Sequence, residues 1–200
     1  MKKPEFAAHI TAGAALALAF TFTAQAQTNR TFVATTGNDA NACSVTAPCR
    51  TLTAALAATS PGGEIVVLNS GGYGPATISR PVTITAIGVD ASITATSGTA
   101  LSLLTAGNVT ITGLNLHGSG AAGSIGVVVE TGGDVHLYNM QIDSFETGVL
   151  MTGGSQLSIH DSKLTHCNSF GLDATDGITD VHHTVFDSNG SPQTQSVVQP

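Results

Sequence analysis

Histidines recur at a fixed spacing in the C-terminal third of this 200-residue chain. His160 and His182 are 22 residues apart, and Tyr138 lies a further 22 residues before them. Two imidazoles brought side by side, with the carboxylate of Asp161, could ligate a transition metal. The spacing defines no third ligand, and repeating β-structures also stack like side chains without a metal. A ladder of rings is therefore the favoured interpretation, and metal binding at His160 and His182 is the alternative.

Three aspartates of the same region could act as a general acid and base. Asp173, Asp176 and Asp180 are close together in the sequence, and glycoside hydrolysis needs two carboxylates roughly 5 to 9.5 Å apart. Acidic residues are also common in solvated turns, where they discourage the pairing of sheet edges. We treat the three as candidate catalytic residues, with solvated turn and strand positions as the favoured interpretation.

An internal repeat would position these side chains. The pattern apolar-x-apolar-x-x-apolar-x-apolar occurs at 109–116, 135–142, 157–164 and 179–186, with offsets of 26, 22 and 22 residues and with Ser162, Thr179 and Thr184 as polar exceptions. The period-two alternation slips by one residue within each copy, which predicts two short strands separated by a sharp corner. The corner residues are all types that tolerate a left-handed backbone: Gly113, Asn139, Asp161 and His183.

A third short strand completes each repeat. Gly126, Gly148 and Gly171 open brief apolar segments that start 22 and 23 residues apart. Strands this short bury little by themselves and become stable by stacking turn on turn, about 4.8 Å apart. The sequence therefore predicts an all-β fold, a parallel β-helix solenoid, with its coils over residues 64–190 and a C-terminal tail at 191–200.

The composition narrows the classes of function. Only 10% of residues are charged, and 6 Lys and Arg stand against 13 Asp and Glu, a formal net charge of -7. Binding to a phosphate backbone requires clustered basic residues, so nucleic acid is not an expected partner. Coiled coils and disordered chains are also excluded, because both need far more charge than this chain carries.

The first 26 residues have the three parts of a secretory signal peptide. A basic start at Lys2 and Lys3 precedes the apolar stretch 10–22 and the small-x-small site at 24–26. The apolar stretch is shorter than the roughly 20 residues that a membrane span requires, and no later segment is longer. Removal of residues 1–26 leaves four basic against twelve acidic residues, a formal charge of -8. We expect a secreted or periplasmic protein with no transmembrane segment.

The three cysteines fit an exported protein. Cys43 and Cys49 enclose five residues in a loop before the first helix-like segment, and we predict a disulfide between them. A pair of free thiols is the alternative. Cys167 aligns with Phe145 of the preceding repeat, which indicates a small buried apolar side chain rather than a nucleophile.

The segments 135–148 and 157–171 resemble the repeat of the right-handed parallel β-helix, or pectate-lyase-like, superfamily, in which an Asn-rich corner separates the second and third strands of a coil. The segments 31–41, 47–52 and 61–68 are similar to the N-terminal cap of many secreted members. The resemblance implies a cap at 27–63, made of a strand and a short helix at 50–59 that cover the open end of the solenoid. Superfamily members include lyases, hydrolases, adhesins and proteins without known activity.

The resemblance to pectate lyases also implies where a lyase site would lie. In such enzymes acidic side chains on the outer face of the first strand bind Ca²⁺, and a neighbouring Lys or Arg abstracts the sugar proton. The matching column here is Ser102, Val128, Leu150 and Asp173, with a single carboxylate. We therefore expect no cofactor, and Ca²⁺ only if the protein is a lyase.

The sequence alone leaves alternatives for two features: the corner of the first coil and the structure that covers the last coil. The segment 82–89 fits the repeat with its corner at Ala86, but a corner at Arg80-Pro81 fits as well, with a strand at 76–79 before it. After Phe186 no amphipathic helix covers the last coil. Val197 and Val198 could form a partial strand, the open end could pair with another chain in end-to-end self-association, or the chain could be a shortened relative of longer solenoids.

These observations predict a non-catalytic surface or carbohydrate-associated module with a polysaccharide as its partner. The alternative is a polysaccharide lyase or glycoside hydrolase acting on an acidic or plant-type glycan. The negative charge of the chain disfavours an acidic glycan unless Ca²⁺ bridges the two.

Overall fold

The computed structural model describes residues 27–194 and 197–198, so the predicted signal peptide lies outside the described residues. Within these described residues the fold consists of one helix and twenty short strands. In chain order they are β1 (Thr28–Val33), α1 (Leu52–Ala58), β2 (Thr59–Val67), β3 (Gly71–Gly72), β4 (Ala76–Ile78), β5 (Val82–Thr85), β6 (Ala91–Thr94), β7 (Thr99–Leu103), β8 (Val109–Thr112), β9 (Leu114–His117), β10 (Ile125–Val129), β11 (Asp134–Tyr138), β12 (Gln141–Asp143), β13 (Thr147–Met151), β14 (Gln156–His160), β15 (Lys163–Thr165), β16 (Phe170–Ala174), β17 (Ile178–His182), β18 (Val185–Asp187), β19 (Ser191–Thr194) and β20 (Val197–Val198).

The strands form three parallel sheets that wind as a solenoid. An eight-stranded sheet has the order β1-β2-β5-β8-β11-β14-β17-β20, and two six-stranded sheets have the orders β19-β16-β13-β10-β7-β4 and β18-β15-β12-β9-β6-β3. We call the first of these sheet A, the one that contains β18 sheet B, and the one that contains β19 sheet C. Each coil adds one strand to each sheet, so every strand pairs with its counterpart one coil away. The predicted all-β parallel β-helix is confirmed.

Inward side chains of all three sheets meet in one continuous core. In β11 the inward Val135 and Leu137 are buried and alternate with half-buried outward residues. Leu116 of β9 and Ile142 of β12 are in register and fully buried. Burial of one such side chain contributes about 1.5 to 3 kcal/mol. Because each strand is only three to nine residues long, apart from the two-residue β3 and β20, stability depends on this stacking rather than on any single coil.

The corner between sheet A and sheet B is formed by left-handed residues. Gly113 has φ 80°, and Asn139, Asp161 and His183 have φ between 47° and 51°. The amides of Gly113, Asn139 and Asp161 donate to the sheet A strand of the next coil, as Asn139 N does to the carbonyl of His160 at 3.0 Å. A second left-handed corner, at the end of the sheet B strands, was not predicted. It consists of Ser144, His166 and Ser188 (φ 61°, 53° and 54°).

The first full coil differs from the repeat. Val82–Thr85 pairs in register with Val109–Thr112, and Ala86 N donates to the Thr112 carbonyl, so Ala86 occupies the corner position. The next strand begins only at Ala91, and Ile87 is 75% exposed. Alanine disfavours the left-handed backbone, and the chain turns instead over a longer loop with Gly88 at φ 75°. Arg80-Pro81 is a different turn, between β4 and β5.

The N-terminal segment covers one end of the solenoid. Strand β1 adds to the edge of sheet A, and Leu52, Ala55 and Leu56 of α1 are buried in the core. Asp39 holds the start of this helix, accepting hydrogen bonds from the amides of Arg50 (2.8 Å) and Thr51 (2.9 Å). Burial opposes ionisation of Asp39, but these hydrogen bonds and the charge of Arg50 outweigh it and lower its pKa.

The cysteines are arranged as predicted. Cys43 and Cys49 form a disulfide beside β1, and both are buried. Cys167 is a free thiol, 1% exposed in the core. Burial raises the pKa of the Cys167 thiol, so the reactive thiolate is disfavoured.

The predicted start of the solenoid falls inside a strand, and its predicted end falls just before one. Residue 63 lies inside β2, which spans cap and first coil in one strand. Beyond residue 190, β19 pairs with β16 and Val197–Val198 pairs with β17, so part of the segment assigned to a tail continues the coils. Among the described residues, no helix is long and apolar enough to cross a bilayer.

Candidate functional site

Sheet A presents two columns of polar side chains on its outward surface, which we call the sheet A face. The repeat places them in register from β5 to β17, one residue per coil in each column. The first column is Thr83, Thr110, His136, Ser158 and Asp180, and the second is Thr85, Thr112, Tyr138, His160 and His182.

The aromatic part of the second column is a stack of parallel rings. The ring centroids of Tyr138 and His160 are 5.2 Å apart, and those of His160 and His182 are 4.9 Å apart, with interplanar angles of 27° and 19°. Neighbouring rings therefore cover each other's faces. The ring edges, with the phenol hydroxyl and imidazole nitrogens, remain for hydrogen bonding.

This geometry does not favour the metal site considered for His160 and His182. Imidazole lone pairs lie in the ring plane, so two stacked rings direct them along parallel planes rather than towards one ion. In addition, Nε2 of His182 is 2.8 Å from Oδ1 of Asp180. Within 27–194 and 197–198, no three His, Cys, Asp or Glu side chains are grouped as metal ligands. Asp161 lies 3.8 Å from His183 instead, at an exposed corner.

A surface depression of about 470 Å³ opens at the C-terminal end of the sheet A face. The residues that line it include Gln156, Ser158, Ile178, Asp180 and His182. Ile178 is 57% exposed. An apolar side chain in such a depression can cover the C–H face of a sugar. The neighbouring amide, hydroxyl, carboxylate and imidazole can bind the hydroxyls of the same sugar.

The three candidate catalytic aspartates belong to different parts of the solenoid. Asp173 is an outward residue of β16 in sheet C, and Asp180 is an outward residue of β17 in sheet A. Asp176 lies in the turn between these strands and accepts a hydrogen bond from Gly177 N at 2.8 Å. Because Asp173 and Asp180 face outward from separate sheets, the structure does not direct the three carboxylates into one acid-base site.

The column expected for a calcium-dependent lyase lies on sheet C. Thr77, Ser102, Val128, Leu150 and Asp173 are in register, and within this described column Asp173 is the one carboxylate. The basic residues lie elsewhere: Lys163 is on sheet B. Arg80 donates to the Thr59 carbonyl at 3.0 Å, and Arg50 to the Gly72 carbonyl at 2.8 Å. None of Lys163, Arg80 and Arg50 is therefore placed beside Asp173 as a proton-abstracting base.

The second corner contains a hydrogen-bonded cluster that was not predicted from the sequence. Asp143 is bonded by Ser144 Oγ (2.8 Å), Thr165 Oγ1 (2.9 Å) and His166 Nδ1 (2.7 Å). Burial opposes ionisation of Asp143, but the hydrogen bonds from His166, Ser144 and Thr165, with the charge of His166, outweigh it and lower its pKa. The signal for this cluster is the 22-residue spacing of Ser144, His166 and Ser188.

We expect the Asp143 cluster to stabilise the fold above the ordinary carboxyl pKa. A lowered folded-state pKa means that the contribution is present above about pH 3.9, the unfolded value, and is lost as the pH falls through the folded value. Since Asp143 is partly exposed and screened, we expect about 1 kcal/mol. Urea unfolding of Asp143→Asn should show this loss at pH 7 and a smaller difference from wild type at pH 2.5. An equal difference at both pH values would contradict the assignment.

The chain is similar to one known protein family and to two solved structures. Residues 60–196 match the family model described as "Right handed beta helix region". Comparison with curated protein sequences finds no match. A crystal structure of pectate lyase Pel9A is similar, with a TM-score of 0.52 and 16% identity over 80% of this chain and 48% of that one. A structure entitled "Rhamnogalacturonan lyase" has a TM-score of 0.38 and 12% identity over 80% of this chain and 50% of that one.

The likeness to pectate lyase Pel9A concerns the fold alone, since the identity is 16% and one fold serves many activities. This chain spans about half the length of both solved structures. The family match covers more than half of the chain, and the coils, registers and corners described above agree with it. The chain therefore belongs to the right-handed β-helix family.

Proposed function

We propose that this protein is a non-catalytic, carbohydrate-associated β-helix that binds a glycan at the depression on sheet A and acts outside the cytoplasm. The observation that carries the proposal is the placement of Ile178 beside Asp180 and His182. A carboxylate held 2.8 Å from an imidazole is a fixed acceptor for sugar hydroxyls, and the exposed Ile178 supplies apolar surface.

Two further observations support a binding module over an enzyme. The carboxylates that could hydrolyse a glycosidic bond face outward from different sheets, and the lyase column contains one carboxylate within the described residues. The Cys43–Cys49 disulfide supports a location in an oxidising compartment. The predicted signal peptide at residues 1–26 agrees with export.

Binding should depend on the carboxylate of Asp180. We expect Asp180→Ala to weaken binding to the preferred polysaccharide about 10- to 100-fold, because a hydrogen bond to a charged group contributes about 1.5 to 3 kcal/mol. Affinity electrophoresis against a panel of neutral and acidic polysaccharides measures this, followed by calorimetry with the best ligand. Gln141→Ala, on the outward surface of sheet B, is the matched control and should bind as wild type does.

The enzyme alternative is tested on the same panel. Reducing ends and unsaturated products are measured with and without Ca²⁺, for wild type and Asp173→Ala. We expect no product in either. Product formation that Asp173→Ala abolishes would overturn the proposal in favour of a lyase or hydrolase.

A further inference from the structure

The sheet A face repeats its hydrogen-bonding groups once per coil beyond the depression. Thr83 and Thr110 continue the first column, and Thr85 and Thr112 continue the second. All four are half-buried outward residues of β5 and β8. The same face thus presents hydroxyls over two coils and then the edges of the stacked rings, so the potential ligand surface is longer than the depression.

The spacing of this face suits an extended chain of repeating units. The stacked rings are 4.9 and 5.2 Å apart along the solenoid, close to the spacing of adjacent parallel strands. One hexose of an extended β-linked chain advances by a similar length. A glycan laid along the solenoid axis would therefore meet one pair of outward polar side chains at each successive sugar, whereas a curved chain would lose register.

The charges on this face disfavour an acidic chain. Of the four basic residues in the described part of the chain, Arg50, Arg80 and Lys163 lie outside sheet A. Arg30 is on β1, where its Nε is 2.8 Å from Glu64 Oε2. From β5 to β17 the outward columns contain no Lys or Arg, and Asp180 adds a negative charge. A polyanion would meet repulsion without a compensating cation.

We infer that the ligand of the sheet A face is a neutral, extended β-linked glycan that runs along the solenoid axis, with one sugar per coil from the depression towards β5. The inference rests on the proposed function and adds the ligand class, its direction and its length. Thr110 and Thr112 bind sugars distant from the depression. His160 contributes through its ring edge, since Tyr138 and His182 stack on its two faces, and Tyr138 contributes through its hydroxyl.

Calorimetry with oligosaccharides of two, four and six sugars tests the inference. The probes are the β-1,4-linked gluco-, manno- and xylo-oligosaccharides, with maltohexaose as a curved control and hexagalacturonate as an acidic one. We expect at least one β-linked series to gain affinity at each step, by tenfold or more from two to six sugars. Maltohexaose and hexagalacturonate should bind more weakly than the hexamer of that series.

The variant Thr110→Val/Thr112→Val separates the long face from the depression. Valine preserves shape and strand preference while removing both hydroxyls, so the fold is retained and its unfolding midpoint serves as the check. We expect this variant to lose at least fivefold in affinity for the hexamer and nothing for the dimer, whereas Asp180→Ala weakens both.

Three other outcomes would contradict the inference or the proposed function. Equal affinities for all lengths, with sensitivity to Asp180→Ala alone, would retain the proposed function and overturn the extended face. Tighter binding of hexagalacturonate would overturn the neutral class. Absence of binding to every probe and to every polysaccharide of the panel would overturn the proposed function itself.

Discussion

Gly148→Ala should destabilise the protein by about 3 kcal/mol, because the added methyl group would collide with backbone that cannot move away. A Cβ at Gly148 would lie 2.5 Å from the carbonyl oxygen of Gly171 and 3.1 Å from Sγ of Cys167. Gly126 faces the same obstacle one coil earlier, since its Cβ would lie 2.5 Å from the carbonyl oxygen of Gly148. The substitution would therefore force two neighbouring coils apart.

The measurement is the midpoint of thermal unfolding, which should fall by roughly 6 to 12 °C for a loss of this size. Gly154→Ala is the matched control in the turn that follows the same strand. A Cβ at Gly154 has Asp176 Oδ2 at 3.8 Å as its nearest neighbour, so its midpoint should stay within about 2 °C of wild type. Equal midpoints for the two variants would contradict the close approach of the coils.

The glycine column also shows why the fold could be predicted from the sequence. A solenoid imposes the same steric requirement at the same place in each coil, so a required glycine recurs with the coil length. Gly126, Gly148 and Gly171 recur for this reason, and so do the left-handed corners from Gly113 to His183. Because each coil repeats the same backbone constraint, the residues that meet it recur in the sequence at the length of one coil.

The parts that were not predicted lack either a residue type or a loop length that would mark them in the sequence. The second corner uses Ser144, His166 and Ser188, and serine is not a residue type that by itself indicates a left-handed backbone. In the first full coil the loop from Ala86 to Asp90 is longer than the other corners, which hid the start of β6 at Ala91. A loop whose length differs from coil to coil leaves no regular spacing in the sequence, so its end cannot be predicted from the repeat.

The candidate site was predictable in register but not in chemistry. The 22-residue spacing aligned Tyr138, His160 and His182 correctly in one column. Whether stacked rings bind a metal or present their edges depends on the orientation of the ring planes, which the alignment does not contain. The depression beside Ile178 likewise depends on the shape and exposure of the surface, which a residue's register does not give.

Phe145→Ala should be the most destabilising single truncation we propose, with a loss of about 3 to 5 kcal/mol. Phe145 is fully buried, and its ring lies where a Cβ of Gly118, one coil earlier, would come within 2.7 Å of Cδ1. The equivalent position one coil later is Cys167, which is too small to fill the space left by the ring. The resulting cavity would therefore weaken the packing of this coil against the coils on both sides.

The loss should appear in the cooperativity of unfolding as well as in its midpoint. Stability of a solenoid is close to a sum of coil and interface contributions, so a weakened interface lets the two sides unfold separately. We expect a lower slope in urea for Phe145→Ala, whereas Phe145→Leu should keep the slope and lose less stability. Phe170→Ala, at a half-exposed position, is the matched control with a smaller loss. If Phe145→Ala cost less than about 1 kcal/mol, well below the usual range for such a truncation, the ring could not be what joins these coils.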